Sequence, residues 1–301
     1  MISNLIKNGI NGTPIIPGDK SISHRSIIIP SISNGICEID NILKSEDVLH
    51  TINAFKKMGV KIEEVSEKLI IYGKGLNSLK KPTKEIFLGN SGTSARLLTG
   101  LLSSQKFDSI LKGDQSLSKR PMGRIADPLN NMNAKINTSN GTLPITIKGN
   151  ELKATKIDLK IPSAQIKSGI MLASLNTEGE TYIIENKVTR DHTEIMLEAF
   201  GANIDIKNTG DRKMIKIIGK KELHSKNIVV PNDLSSSAFF IVCALINKNS
   251  NLVLKGINNN PTRNGLVLAL KKMGAEMTFT NKRFSNNEII CDIKVSSTNL
   301  K

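Results

Sequence analysis

Lys20 and Arg25 share the run Gly18-Asp19-Lys20-Ser21-Ile22-Ser23-His24-Arg25, with the hydroxyls of Ser21 and Ser23 between them. An ammonium acts as a point charge and a guanidinium as a planar fork, so this set suits a substrate bearing both phosphate and carboxylate. A second run, Leu88-Gly89-Asn90-Ser91-Gly92-Thr93-Ser94-Ala95-Arg96, is a loop of small residues entering a helix. It serves either as a plain turn or as a place where backbone approaches a ligand closely. A third, Gly113-Asp114-Gln115-Ser116-Leu117-Ser118-Lys119-Arg120-Pro121-Met122, is a polar loop presenting Arg120 just ahead of a helix opened by proline. Pro162-Ser163-Ala164-Gln165-Ile166-Lys167-Ser168 adds hydroxyl and amide groups at another helix start. His24, His50, His192 and His224 have no metal-ligand spacing and read as solvated or hydrogen-bonded side chains, so no metal is expected.

These groups need elements to hold them, and the chain repeats one. Phe55-Lys56-Lys57-Met58-Gly59-Val60, Leu129-Asn130-Asn131-Met132-Asn133-Ala134, Leu197-Glu198-Ala199-Phe200-Gly201-Ala202 and Leu270-Lys271-Lys272-Met273-Gly274-Ala275 recur about every 70 residues. Each reads as the end of an outer helix followed by a left-handed cap, glycine in three copies and Asn133 in the other. Each unit opens with a second helix, over 21–33, 93–103, 163–175 and 235–246, apolar on nearly every side and therefore expected to be buried. The first three carry a lone cation in their first two turns, Arg25, Arg96 and Lys167. Several helix starts converging on one cleft would form an anion site, because free N–H groups and the helix dipole both favour negative charge. The unit reads strand, buried helix, strand, outer helix, strand, strand, which predicts an α/β (α+β) fold with helices laid on sheets. Turn chemistry at Pro17-Gly18-Asp19 and Pro231-Asn232-Asp233 predicts two domain crossings. Residues 19–231 then hold three complete βαβαββ units, and residues 1–18 with 232–301 form a partial second domain with one unit.

Composition narrows the partners. The chain has 301 residues, 39% hydrophobic and 23% charged, a balance suited to ordinary globular domains. No stretch reaches the roughly 18 apolar residues of a membrane span, and Met1–Leu5 lacks the basic-then-apolar pattern of a leader. Cys37, Cys243 and Cys291 are too scattered for a disulfide framework, so a cytoplasmic location is expected. The net charge of +15 favours anions, although a lysine-, isoleucine- and asparagine-rich codon bias accounts for it equally well. Nucleic acid fits less well than small phosphorylated metabolites, since aromatics are 3% and tryptophan is absent.

Taken in order, the runs D-K-S-I-S-H-R, G-N-S-G-T-S-A-R, S-K-R-P-M, S-A-Q-I-K-S, T-R-D-H-T-E and N-D-L-S-S-S-A-F-F resemble the enolpyruvyl transferase family, in its shikimate 3-phosphate branch. The resemblance implies two domains of three βαβαββ units each, with the active site between them. It implies transfer of the enolpyruvyl group of phosphoenolpyruvate to the 5-hydroxyl of shikimate 3-phosphate, by addition and then elimination of phosphate, without metal or organic cofactor. It assigns Lys20 to both substrates and to catalysis. Ser21, Arg25, Ser163, Ala164, Gln165 and Arg190 match positions that hold shikimate 3-phosphate, and Gly92, Arg120 and Gln165 match positions around phosphoenolpyruvate. The expected state is a monomer.

Two departures qualify the resemblance. Family members normally continue well past the position of Lys301, through an aspartate, a K-E-S-D-R-like run, a D-H-R-x-A-M-like run and a late lysine that this sequence does not supply. That leaves Lys20 as the one residue expected to move protons, and predicts weak catalysis by a truncated chain. Pro30 predicts a bend or early end near Ile29. Gly92 is the family's usual residue where the herbicide glyphosate competes with phosphoenolpyruvate, which predicts sensitivity of the full-length protein. The rival readings are a non-catalytic binding module and the sister enzyme acting on UDP-N-acetylglucosamine. That sister carries a cysteine in the loop matching residues 113–121, where this chain has none.

Overall fold

The computed structural model describes residues 9–301; the leader reading of Met1–Leu5 lies outside the described residues. After β1 (Asn11–Gly12) comes a first unit of α1 (Lys20–Ser31), β2 (Asn34–Asp40), α2 (Glu46–Lys57), β3 (Lys61–Val65) and β4 (Lys68–Lys74). The second holds β5 (Ile86–Phe87), α3 (Gly92–Ser103), β6 (Ser109–Lys112), α4 (Gly123–Asn131), β7 (Lys135–Ser139) and β8 (Thr142–Lys148). The third holds β9 (Lys156–Leu159), α5 (Ala164–Leu175), β10 (Glu180–Glu185), α6 (His192–Ala199), β11 (Asn203–Thr209) and β12 (Arg212–Ile218). The chain ends with β13 (Ile228–Val229), α7 (Leu234–Ile246), β14 (Asn251–Asn258), α8 (Gly265–Lys272), β15 (Met277–Ser285) and β16 (Glu288–Ser296).

Four sheets share one design: a short strand parallel to a longer one, which then joins an antiparallel hairpin. Their orders are β13-β2-β4-β3, β5-β6-β8-β7, β9-β10-β12-β11 and β1-β14-β16-β15. Two sheets borrow their first strand from afar. β13 completes the first unit's sheet and β1 completes the last one, so the chain passes between these two sheets near Pro17 and Pro231. There the Asp19 N–H donates to the Pro231 carbonyl at 2.8 Å and the Asp233 N–H to the Pro17 carbonyl at 2.9 Å. Buried apolar residues fall into two clusters, one from Ile22 to Val230 and one joining Ile16 to residues between Leu234 and Val295.

The four opening helices start at side-chain caps. Asp19, Ser91 and Asp233 accept the amides of Ile22, Ser94, and Ser235 with Ser236, and Ser163 accepts that of Ile166. Several buried serines and threonines along α1, α3 and α5, though not Ser26, bond back to carbonyls one turn earlier, as Ser31 to Ile27, Thr99 to Ala95 and Ser174 to Ile170. Satisfied in this way, they stay buried at little cost. The repeat's caps are left-handed, with φ of 84° at Gly59, 70° at Asn133, 88° at Gly201 and 86° at Gly274.

Some expectations need correction. The apolar helix 235–246 is not buried all round: Phe239 is 79% and Ile246 65% exposed, because only one face meets a sheet. Pro30 ends α1 gently, since the helix runs one residue beyond it to Ser31 and the lost hydrogen bond falls in the last turn. The outer helix expected at Pro121 begins at Gly123 and carries Pro128 inside it.

Candidate active site

α1, α3 and α5 point their N-termini at one cavity of about 430 Å³, joined by the starts of α2 and α6 and by the loop before α4. Lys20, Ser21 and Arg25 reach it from α1, Gly92 and Thr93 from α3, and Ala164 and Gln165 from α5. Asp47, Asn90, Arg120, Arg190 and His192 complete the wall. The helices come close because Gly100 and Gly169 meet where α3 crosses α5: a Cβ on Gly100 would stand 1.8 Å from the Gly169 carbonyl oxygen.

Four cations face one carboxylate here. Arg25, 4% exposed, donates through Nε to Thr193 Oγ1 at 2.7 Å, through Nη1 to the Ser21 carbonyl at 2.8 Å and through Nη2 to Ser168 Oγ at 2.9 Å. Its partners are neutral, and burial pulls its pKa down to about 10. Arg190 is exposed, its pKa is lowered by desolvation and then by the nearby Arg263, and among the described residues its guanidinium has neither an ion pair nor a hydrogen bond. Lys20 Nζ pairs with Asp47 Oδ2, and Arg120 Nη2 donates to Asn90 Oδ1. Partly unpaired cations at helix N-termini raise the local potential and attract an anion.

The three expected helix cations take different roles. Arg25 lines the cavity. Arg96 instead orients its neighbours, donating to Gln165 Oε1 at 2.8 Å and to the Gly92 carbonyl at 3.1 Å, while Gln165 Nε2 donates to Thr93 Oγ1 at 3.0 Å. Lys167 is away from the cavity and wholly buried, between Glu185 at 2.8 Å and Glu194 at 2.7 Å. Ser163 is absent from the wall too; it caps α5.

Asp47 and His192 escaped sequence reasoning, as did the side chains of Asn90 and Thr93 inside a loop already singled out. Nothing local marks Asp47, one of two acids opening α2; only packing of α2 on α1 sets it against Lys20. Lys20 is therefore not alone as an ionisable group able to exchange protons in the cavity. His24 is buried and takes the hydrogen-bonded alternative, its Nδ1 2.8 Å from Thr51 Oγ1, which lies 2.6 Å from Ser94 Oγ, itself 2.7 Å from Ser91 Oγ. This chain ties α1, α2 and the α3 cap together. Burial, with Arg25 next, drives the His24 pKa down to about 3. His192 Nδ1 lies 2.6 Å from Glu288 Oε1.

Repeated α/β units here aim three helix starts and four cations at one cavity, an arrangement that favours an anion. A family model of EPSP synthase (3-phosphoshikimate 1-carboxyvinyltransferase) matches residues 6–300. The chain belongs to that family. It is 49% identical over 295 residues to a 3-phosphoshikimate 1-carboxyvinyltransferase of Ruthia magnifica, covering 98% of this chain and 67% of the relative. A relative of the same name from Geobacter sp. strain M21 is 45% identical over 293 residues, at 97% and 67% coverage. The structure of EPSP synthase from Acinetobacter baumannii superposes with a TM-score of 0.89 at 47% identity, covering 96% of this chain and 65% of that one. The chain thus spans about two thirds of the length of these relatives.

Proposed function

We propose that the chain works in the transfer of the enolpyruvyl group of phosphoenolpyruvate to the 5-hydroxyl of shikimate 3-phosphate, releasing phosphate. One observation carries the reading: eight of the nine residues marked in the sequence line a single cavity, and among the described residues its cations lack carboxylate partners apart from Lys20. Arg25 and Arg190 serve the phosphate of shikimate 3-phosphate, with Ser21, Ala164 and Gln165 around its hydroxyls and Ser163 acting through the α5 cap. Arg120, Gln165 and the surface left free of a side chain at Gly92 serve phosphoenolpyruvate. Lys20 lies between the two and contacts both.

In the addition step the 5-hydroxyl gives up its proton as its oxygen bonds to C2 of phosphoenolpyruvate, and the C2–C3 double-bond electrons take a proton at C3. In the elimination step C3 loses a proton and the C2–O bond to phosphate breaks. Lys20 and Asp47 are the paired acid and base offered by this cavity for moving those protons. Holding two polyanions side by side in a cationic pocket offsets their repulsion and the entropy of bringing them together. The chain is read as a cytoplasmic monomer, without nucleic acid or membrane as partners, which light scattering after gel filtration tests.

Calorimetry and a phosphate-release assay test the function. Shikimate 3-phosphate binding, followed by phosphate release on adding phosphoenolpyruvate, supports it. Binding without release selects the non-catalytic module. No binding of shikimate 3-phosphate, or preference for UDP-N-acetylglucosamine, overturns it.

A further inference from the structure

We propose that Arg263 is a positioning residue for the anion cavity, fixing the first turn of α1 by drawing the cap carboxylates of α1 and α7 onto one guanidinium. The proposal rests on reading the cavity as the shikimate 3-phosphate site. Arg263 ends a 3₁₀ turn (Pro261–Arg263) that follows β14. Its Nη1 donates to Asp19 Oδ2 at 2.5 Å, and its Nη2 donates to Asp233 Oδ1 at 3.0 Å and to Ser235 Oγ. The other Asp19 oxygen, Oδ1, accepts the Ile22 amide at 2.9 Å and so starts the helix whose first residue is Lys20. The 3₁₀ turn is itself anchored: Asn260 Nδ2 donates to Asp191 Oδ1 at 2.7 Å and to Glu288 Oε2 at 3.2 Å.

Asp19 is fully buried directly behind a pocket meant for anions. The charged and titratable groups that act on it are Arg263, His192 of α6, Asp233 at the α7 cap, Arg25 of α1 and Arg190 ahead of α6. Burial pushes its carboxyl above the ordinary range, and Arg263 is the largest pull in the opposite direction. Without Arg263, an ionised Asp19 faces Asp233 in a dry seam and must move outward to reach water, taking the start of α1 with it. Protonation removes that drive, so the defect grows as pH rises.

The test is calorimetry of shikimate 3-phosphate with the parent chain, Arg263→Gln and Arg263→Lys from pH 5.5 to 8.5. The ratio of parent to variant affinity cancels the ligand's own ionisation. Arg263→Gln is expected to bind about tenfold more weakly at the alkaline end, with the deficit shrinking toward the acid end, and Arg263→Lys to recover part of it. A deficit that does not change with pH gives Arg263 a packing role only and overturns the proposal, as does a ratio near one throughout. Should the parent bind no shikimate 3-phosphate, the functional reading fails separately, and hydrogen exchange decides the clamp. The Ile22 and Ser23 amides should then exchange about tenfold faster in Arg263→Gln while the Ile166 amide is unchanged; unaltered exchange at Ile22 and Ser23 overturns it.

Discussion

Replacing Gly92 with alanine probes the cavity at its tightest point. A Cβ there would stand 2.8 Å from Arg96 Nη1 and 3.1 Å from Arg120 Nη1, with Leu117 Cδ1 at 3.7 Å. The first two are closer than ordinary contact, so both guanidinium tips must retreat by several tenths of an ångström. They are the far ends of flexible side chains, and Gly92 has an ordinary negative φ, so the fold should tolerate the change to within about 1 kcal/mol. The cost falls on function. Arg120 loses its aim at phosphoenolpyruvate, and Arg96 loosens its hold on the Gln165 amide. Hydrogen bonds to charged groups contribute about 1.5–3 kcal/mol, so phosphoenolpyruvate affinity should fall roughly tenfold to a hundredfold. Shikimate 3-phosphate, held chiefly by Lys20, Arg25 and Arg190 on other elements and touched by the change only through Gln165, should lose no more than about fivefold. The assay is calorimetric titration of phosphoenolpyruvate into protein saturated with shikimate 3-phosphate. Unchanged phosphoenolpyruvate affinity, or an equal loss for both ligands, would refute the division of the cavity. The same crowding should weaken glyphosate, whose competition is measured in the same titration.

Lys167→Met strands Glu185 in the interior and leaves Glu194 with Lys213 alone, at 3.1 Å, and should cost about 3–5 kcal/mol in urea unfolding; a loss under about 1 kcal/mol would show that the ion pairs contribute little. His24, held near a pKa of 3 against an ordinary 6.5, binds fewer protons folded than unfolded. Stability contributed by this group therefore declines as pH falls below its unfolded pKa, by about 2 kcal/mol between pH 7 and pH 5, and an NMR midpoint for His24 above about pH 5 would contradict this. Burial pushes the thiols of Cys37 and Cys291 up to about 12 and about 11, so a thiol reagent at pH 8 should label the half-buried Cys243 first; early labelling of Cys37 would be the contrary result.

Much of this architecture is legible along the chain because it is local. Glycine or asparagine after each outer helix, a polar cap before each inner one and alternating strands depend on neighbours a few residues away. The cavity glycines and cations were legible as motifs for the same reason. Asp47 was not, because its meaning comes from α2 lying on α1, and neither was Arg263, which acts on carboxylates 244 and 30 residues away. The helix 235–246 misled in the opposite direction: an apolar run records what a helix can bury, whereas exposure depends on which surfaces surround it.

By itself, then, the sequence determined the repeating unit, its caps and the cationic runs at three helix starts, since backbone preference and side-chain chemistry act over one or two turns. Tertiary structure alone decided that Arg25 would face a cavity, Arg96 would brace an amide and Lys167 would be sealed between two glutamates. Equivalent positions on repeated helices meet different neighbours, and a buried charge takes its role from the partner that packing delivers.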